Sequence, residues 1–151
     1  MNKIWIYIKS ILLPVILGGI VGFIISSFID YNSLQKPPLA PPSILFPIIW
    51  TTLYILMGVS YGRLKSKGLT NEKINRIYYI QLAINLLWPI FFFILKWRLI
   101  AFFWIILLDV AVIVMIMRFY QKDKLAGLLQ IPYIVWSLFA TYLNLGIYLL
   151  N

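Results

Sequence analysis

Apolar residues in this chain do not alternate with polar ones; they run on in five long blocks, and the short segments outside the blocks hold most of the charge. Crossing the hydrocarbon core of a bilayer takes roughly 20 consecutive apolar residues in a helix. Five stretches meet that length, at 4–28, 43–64, 74–95, 99–118 and 125–150. The pattern therefore predicts an all-α membrane protein, a single domain over 1–151 built as a bundle of five transmembrane helices. Lys3 and Lys9, at the start of the first block, resemble the basic start of a signal peptide. The block is too long for one and lacks a small-residue cleavage site, so it is expected to stay as a helix.

The polar breaks set an orientation. Basic loops are retained on the cytoplasmic side during insertion. With five spans, Lys3, Lys9, Arg63, Lys65, Lys67, Lys73, Arg76, Arg118, Lys122 and Lys124 fall on one side, and only Lys36, Lys96 and Arg98 on the other. The expected arrangement is a multi-pass protein of the cell membrane with a cytoplasmic N-terminus and an outer C-terminus, surrounded by membrane lipid. Composition agrees: 63% of residues are hydrophobic, 17% aromatic and 11% charged. The net charge of +9 sits between apolar blocks rather than in a continuous stripe, which excludes a nucleic-acid surface. The absence of Cys and His removes thiolate nucleophiles, imidazole bases and the common zinc and haem-iron ligands, so no metal or cofactor is expected. No internal repeat appears, against an inverted-repeat carrier.

Between the first two blocks lies the segment KPPLAPPSILFPIIW, part of a proline-rich loop at 29–42. Pro37, Pro38, Pro41 and Pro42 fix φ and remove donors, so an extended, stiff, lid-like connection is expected there, with Ser43 capping the helix that follows.

Polar and aromatic residues within the blocks mark the candidate site. Gly18, Gly22 and Ser26 form a small-residue stripe on the first helix, for close packing within the bundle or for dimerisation. Pro47, Trp50, Tyr54, Met57 and Tyr61 share a face of the second helix, read as a cavity wall below the proline loop. Gln81, Asn85, Trp88 and Phe92 share a face of the third. Pro89 leaves the Asn85 carbonyl without its helical donor, so residue 85 needs partners inside the membrane. Asp109 lies near mid-membrane in the fourth helix with no Lys or Arg at its depth. It is expected either protonated or turned to a polar cavity, in a proton-relay role or as a hydrogen-bonded tie between helices. Trp136, Ala140, Leu143, Asn144 and Ile147 share a face of the last helix. Indoles at Trp50, Trp88 and Trp136 with amides at Asn85 and Asn144 suit a flat, mostly apolar ligand with a few polar edges. Lys36, Lys96 and Arg98 are placed to meet ligand carboxylates at the mouth.

KPPLAPP, PIIWTTLYILMGVSYG, QLAINLLWPIFF and PYIVWSLFATYLNLGI together closely resemble the translocator protein family, also called tryptophan-rich sensory proteins or peripheral benzodiazepine receptors, in its bacterial form. The resemblance implies a five-helix bundle, commonly a homodimer, that binds protoporphyrin IX, sterols and synthetic benzodiazepine-site ligands beneath the first loop. It also implies receptor, sensory or transport roles and light-dependent oxidative breakdown of bound porphyrin, with Trp50 and Trp136 as the photochemical residues. By the same motifs the ligand site would comprise Pro41, Pro42, Pro47, Trp50, Tyr54, Asn85, Trp88, Phe92, Asp109, Trp136, Ala140, Leu143 and Asn144. Two departures stand out. Leu143 and Tyr148 are followed by no Lys or Arg, leaving the animal sterol motif incomplete. Leu39 and Ala40 replace the Trp and His of animal loops. The competing reading is a carrier of porphyrins, sterols or other flat hydrophobic compounds without catalytic activity.

Overall fold

A computed structural model describes residues 2–151, and each of the five apolar blocks is a helix long and apolar enough to cross a membrane. The first, α1 (Lys3–Ile25), starts where the Asn2 side chain accepts the Ile4 N–H and runs into a 3₁₀ turn at Ser26–Phe28. The second, α2 (Leu45–Ser66), ends in a Schellman arrangement. The Leu69 N–H reaches the Leu64 carbonyl and Gly68 takes φ 68°, a conformation natural only to glycine. The third, α3 (Glu72–Pro89), is capped by Asn71 and continues as one wide π turn, Ile90–Ile94, after Pro89. The fourth, α4 (Arg98–Lys122), extends beyond the apolar block at its C-terminal end, because the backbone keeps its helical bonds after the side chains reach water.

The last block is interrupted. A short α5 (Lys124–Leu128), capped by Asp123, is separated from α6 (Ile131–Leu150) by a break at Leu129–Gln130. Pro132 occupies the first turn of α6, where its missing donor costs nothing and its ring bars continuation from α5.

Packing follows the small residues. Gly58 and Gly62 of α2 meet Ser10 and Ile11 of α1, and a Cβ added at Gly58 would lie 2.4 Å from the Ile11 backbone. The glycine-mediated backbone approach is thus on α2, not on the α1 stripe. On its other side, α4 lies against α3 and α6. Leu53, Met57 and Leu64 meet Tyr78, Leu82, Val112 and Phe119 in the largest buried cluster. Polar ties join the helices at the end that carries Gly68 and the α5 break. Tyr61 donates to Asn75 at 2.6 Å, Ser60 to the Ala126 carbonyl at 2.6 Å, and Arg63 and Lys67 pair with Asp123.

The opposite end is bound by the proline segment, which runs as a strap rather than as a free lid. Tyr142 donates to the Pro38 carbonyl at 2.6 Å, Asn151 Nδ2 to the Gln35 carbonyl at 2.8 Å, and Pro37 packs into the space left by Gly146. Ser43 does not cap α2: Ile44 takes the cap position without a side-chain bond, and the Ser43 backbone carbonyl accepts the Phe46 N–H instead.

Candidate functional site

Under the strap, where α2 stands apart from α3 and α6, lies a cavity of about 460 Å³. Phe46, Pro47, Trp50, Thr51 and Tyr54 line it from α2; Asn85, Trp88, Pro89 and Phe92 from α3; Ala140, Leu143, Asn144 and Ile147 from α6. The remaining wall is α1, through Val15, Gly18, Gly19, Gly22 and Ile25, with Tyr31 and Ser43 near the strap. Pairing of the rings gives the walls their shape. Trp88 lies on Phe92 with centroids 5.1 Å apart, Tyr31 meets Phe46 edge-on at 4.9 Å, and Trp50 meets the buried Tyr133 at 6.5 Å.

Asn85 and Asn144, the amides on the cavity wall, are each bonded to protein through both oxygen and nitrogen. Asn85 accepts from Tyr54 Oη at 2.6 Å and donates to Tyr133 Oη at 2.7 Å. Asn144 accepts from Trp88 Nε1 at 2.9 Å and donates to the Arg98 carbonyl at 2.8 Å. With both amides so held, their rotamers are fixed and Trp88 is oriented edge and face. The cavity thus presents broad apolar surface, with the Ser43 and Thr51 hydroxyls and the remaining amide positions of Asn85 and Asn144 as its polar points.

At the mouth the expected free cations are paired. Asp30 accepts from Arg98 Nη2 at 2.7 Å and from Lys96 at 3.1 Å, and the Arg98 guanidinium lies 5.0 Å over the Phe92 ring. Desolvation pushes the Asp30 carboxyl up, but the hydrogen bonds and charges of Arg98 and Lys96 outweigh it and hold it below its ordinary value. Lys36 donates to the Tyr31 and Leu34 carbonyls.

Of the residues named from sequence, Pro47, Trp50, Tyr54, Asn85, Trp88, Phe92, Ala140, Leu143 and Asn144 come together around the cavity. Four do not. Pro41 and Pro42 belong to the strap, where their carbonyls accept from Tyr31 Oη and the Leu45 N–H. Asp109 faces α6, accepting from Ser137 at 2.5 Å and from Thr141 at 2.6 Å, so two hydroxyls supply the partners its depth demands. Trp136 sits one turn below Ala140, where Tyr133 fills the interior. Its indole lies instead in a groove between α2 and α6 with Ile49, Leu53, Val135 and Phe139, and meets the ring of the cavity residue Phe46 with centroids 5.7 Å apart. Sequence reading missed the α1 wall and Tyr31 and Phe46. The glycine stripe was the available signal, since Gly18 is where the Tyr54 ring lies, and beside Gly19 and Gly22 there is open space.

An all-helical multi-pass bundle strapped at one end, with a tryptophan-lined cavity at membrane depth, defines an integral membrane protein of the tryptophan-rich type. Residues 10–150 match the model of the TspO/MBR family, and the chain belongs to that family. It is 38% identical over 147 residues to the tryptophan-rich protein TspO of Archaeoglobus fulgidus, covering 95% of each chain. It is 36% identical to protein CrtK of Rhodobacter capsulatus over 89% of this chain and 86% of that one. The translocator protein of Homo sapiens is 34% identical over 93% of this chain and 87% of its own.

Proposed function

We propose that the cavity binds a flat tetrapyrrole, protoporphyrin IX, and synthetic ligands of the benzodiazepine-site type, and that bound porphyrin is broken down oxidatively in the light. The observation that carries this reading is the cavity itself: about 460 Å³ at membrane depth, walled by Phe46, Trp50, Trp88 and Phe92, within the size range of pockets that enclose small ligands. Large planar rings gain most from such walls, by stacking and by apolar burial. Of the two photochemical candidates, Trp50 lines the cavity and is the nearer redox partner for an excited porphyrin with dioxygen; Trp136 acts from the adjoining groove. The porphyrin carboxylates would point to the strap end, exchanging with Asp30 for Arg98 and Lys96. Sterols fit the apolar walls less specifically.

The reading includes the cell membrane as location, the N-terminus in the cytoplasm by the distribution of Lys and Arg, and a homodimer as assembly. A second reading, carriage of the ligand across or along the membrane, takes support from the name of the human relative, translocator protein.

The test is titration of the purified protein with protoporphyrin IX, following tryptophan fluorescence in the dark and absorption spectra under illumination. Saturable quenching, then bleaching with a new tetrapyrrole spectrum, is the expected result. Wild-type rates of photobreakdown in a Trp50→Phe, Trp136→Phe double variant would reject tryptophan participation. Quenching without light-driven change would leave the carrier reading, and absence of saturable binding would refute the porphyrin site.

A further inference from the structure

The hydrogen bonds below the cavity floor form a column. Tyr54 Oη donates to Asn85 Oδ1, Asn85 Nδ2 to Tyr133 Oη at 2.7 Å, and Tyr133 Oη to Gln81 Oε1 at 2.7 Å. Gln81 Nε2 then donates to the Tyr78 carbonyl at 2.8 Å. On the inner face of α6 the other deep polar side chains, Ser137 and Asn144, are bonded as well.

Elsewhere in the bundle Arg98 Nε and Trp136 Nε1 lack partners among the described residues, and one turn further toward the α5 break three more buried atoms do. Tyr78 is 1% exposed and Gln130 0%, yet Tyr78 Oη and both Gln130 Nε2 and Oε1 have no hydrogen-bond partner among the described residues. The two residues stand at one level. Spans three and five run in the same direction, Gln81 of α3 meets Tyr133 of α6, and three residues back along each chain lie Tyr78 and Gln130. Leaving three such atoms bare in a membrane-embedded core carries a penalty for each. A side-chain amide that donates and accepts, at the level of a phenol that does both, offers the two to four bonds that a buried water needs.

We propose that Tyr78 and Gln130 form an internal hydration site. Its water extends the polar column from the cavity floor at Tyr54 to the helix break at Leu129, and completes the hydrogen bonding that holds Tyr133 and Gln81 in register. The inference stands independently of which ligand occupies the cavity.

The experiment is water-edited solid-state NMR of the full chain in lipid bilayers, with glutamine side-chain nitrogens labelled. Rapid water transfer to the Gln130 amide is expected, well above that to the protein-bonded Gln81 amide; no transfer to Gln130 overturns the proposal. Thermal unfolding supplies a second readout. With a shared water, Gln130→Leu and Tyr78→Phe each lower Tm by about 2–4 °C, and the double variant loses no more than the larger single. Replacing a dry unpaired group by an apolar one is neutral or stabilising, so an unchanged or raised Tm in both single variants also overturns it. The wild-type spectrum decides the matter if a variant fails to fold.

Discussion

Gly22→Leu separates occupancy of the cavity from integrity of the fold. Gly22 lines the cavity, and a Cβ built on it meets nothing within 4 Å. A leucine there takes roughly 100 Å³, somewhat less than the void left when a buried leucine is deleted from a core. Against about 460 Å³ that is around a fifth of the space, taken from the wall against which a flat ligand would lie. Forcing ligand and side chain to share it resembles overpacking a core, a penalty of about 1–3 kcal/mol, or roughly 5- to 150-fold in Kd. The folded protein alone has no such conflict. Replacing glycine inside α1 even favours the helix by up to about 1 kcal/mol. Protoporphyrin titration by tryptophan quenching should therefore show the affinity fall, while thermal unfolding in the same detergent shows Tm unchanged or raised. Gly18→Leu makes the contrast: its Cβ would lie 2.4 Å from the Tyr54 ring, so Tm should fall along with affinity. Wild-type affinity in Gly22→Leu would refute the cavity as the porphyrin site.

Asp109→Ala should lower stability by about 1 kcal/mol, by stranding the Ser137 hydroxyl while Thr141 keeps its bond to the Ser137 carbonyl, and leave ligand affinity unchanged; a selective loss of affinity in the quenching titration would contradict its place outside the cavity. The Arg63 hydrogen bond, outweighing desolvation, with help from Lys67 and the Ala126 N–H, holds the Asp123 carboxyl below its ordinary value of about 3.9. The stabilisation is fully present above that value and is lost as pH falls through the lowered one, so Tm should be level from neutral pH to about 5 and drop below about 4. Asp123→Asn should flatten that acid limb, and an unaltered limb would count against the ion pair. Gly146→Ala drives a Cβ to within 2.4 Å of Pro37 and should lift the strap from α6. Stopped-flow quenching should then show faster ligand association and dissociation with little change in their ratio.

Length and hydropathy were enough to read the five spans, because a bilayer admits few alternatives to an apolar helix of that length. The α3 face was equally legible: Asn85, Trp88 and Phe92 follow helical spacing, and Pro89 announced a backbone irregularity that takes the form of the π turn. Spacing failed at Trp136, which shares a helical face with Ala140 and Asn144 yet lies outside the cavity. What displaces it is the depth filled by Tyr133, a property of three helices at once. Asp109 was flagged by cost alone, and its partners, Ser137 and Thr141, are ordinary hydroxyls on a different helix that carry no signal of their own. The stripe at Gly18 and Gly22 showed that something comes close without showing whether it is a helix, a tyrosine ring or open space. The break at Gln130 was hidden because hydropathy continues across it, and only Pro132 marks where one helical ladder yields to the next.

Among the parts that enclose the cavity, the strap alone has a length that the bilayer does not dictate. Helices are cut to the thickness of the hydrocarbon, and at the α5 end the spacing of the bundle is held by Tyr61 with Asn75, Ser60 with Ala126 and Arg63 with Asp123. At the other end the distance from α2 to α6 is governed by a belt anchored to α4 through Asp30 and to α6 through Pro38 and Gln35. Residues gained or lost in that belt alter its girth without touching a transmembrane segment. The width of the slot, and so the thickness of guest it admits, can be retuned by insertion and deletion where membrane proteins tolerate them best, leaving the aromatic walls as they are.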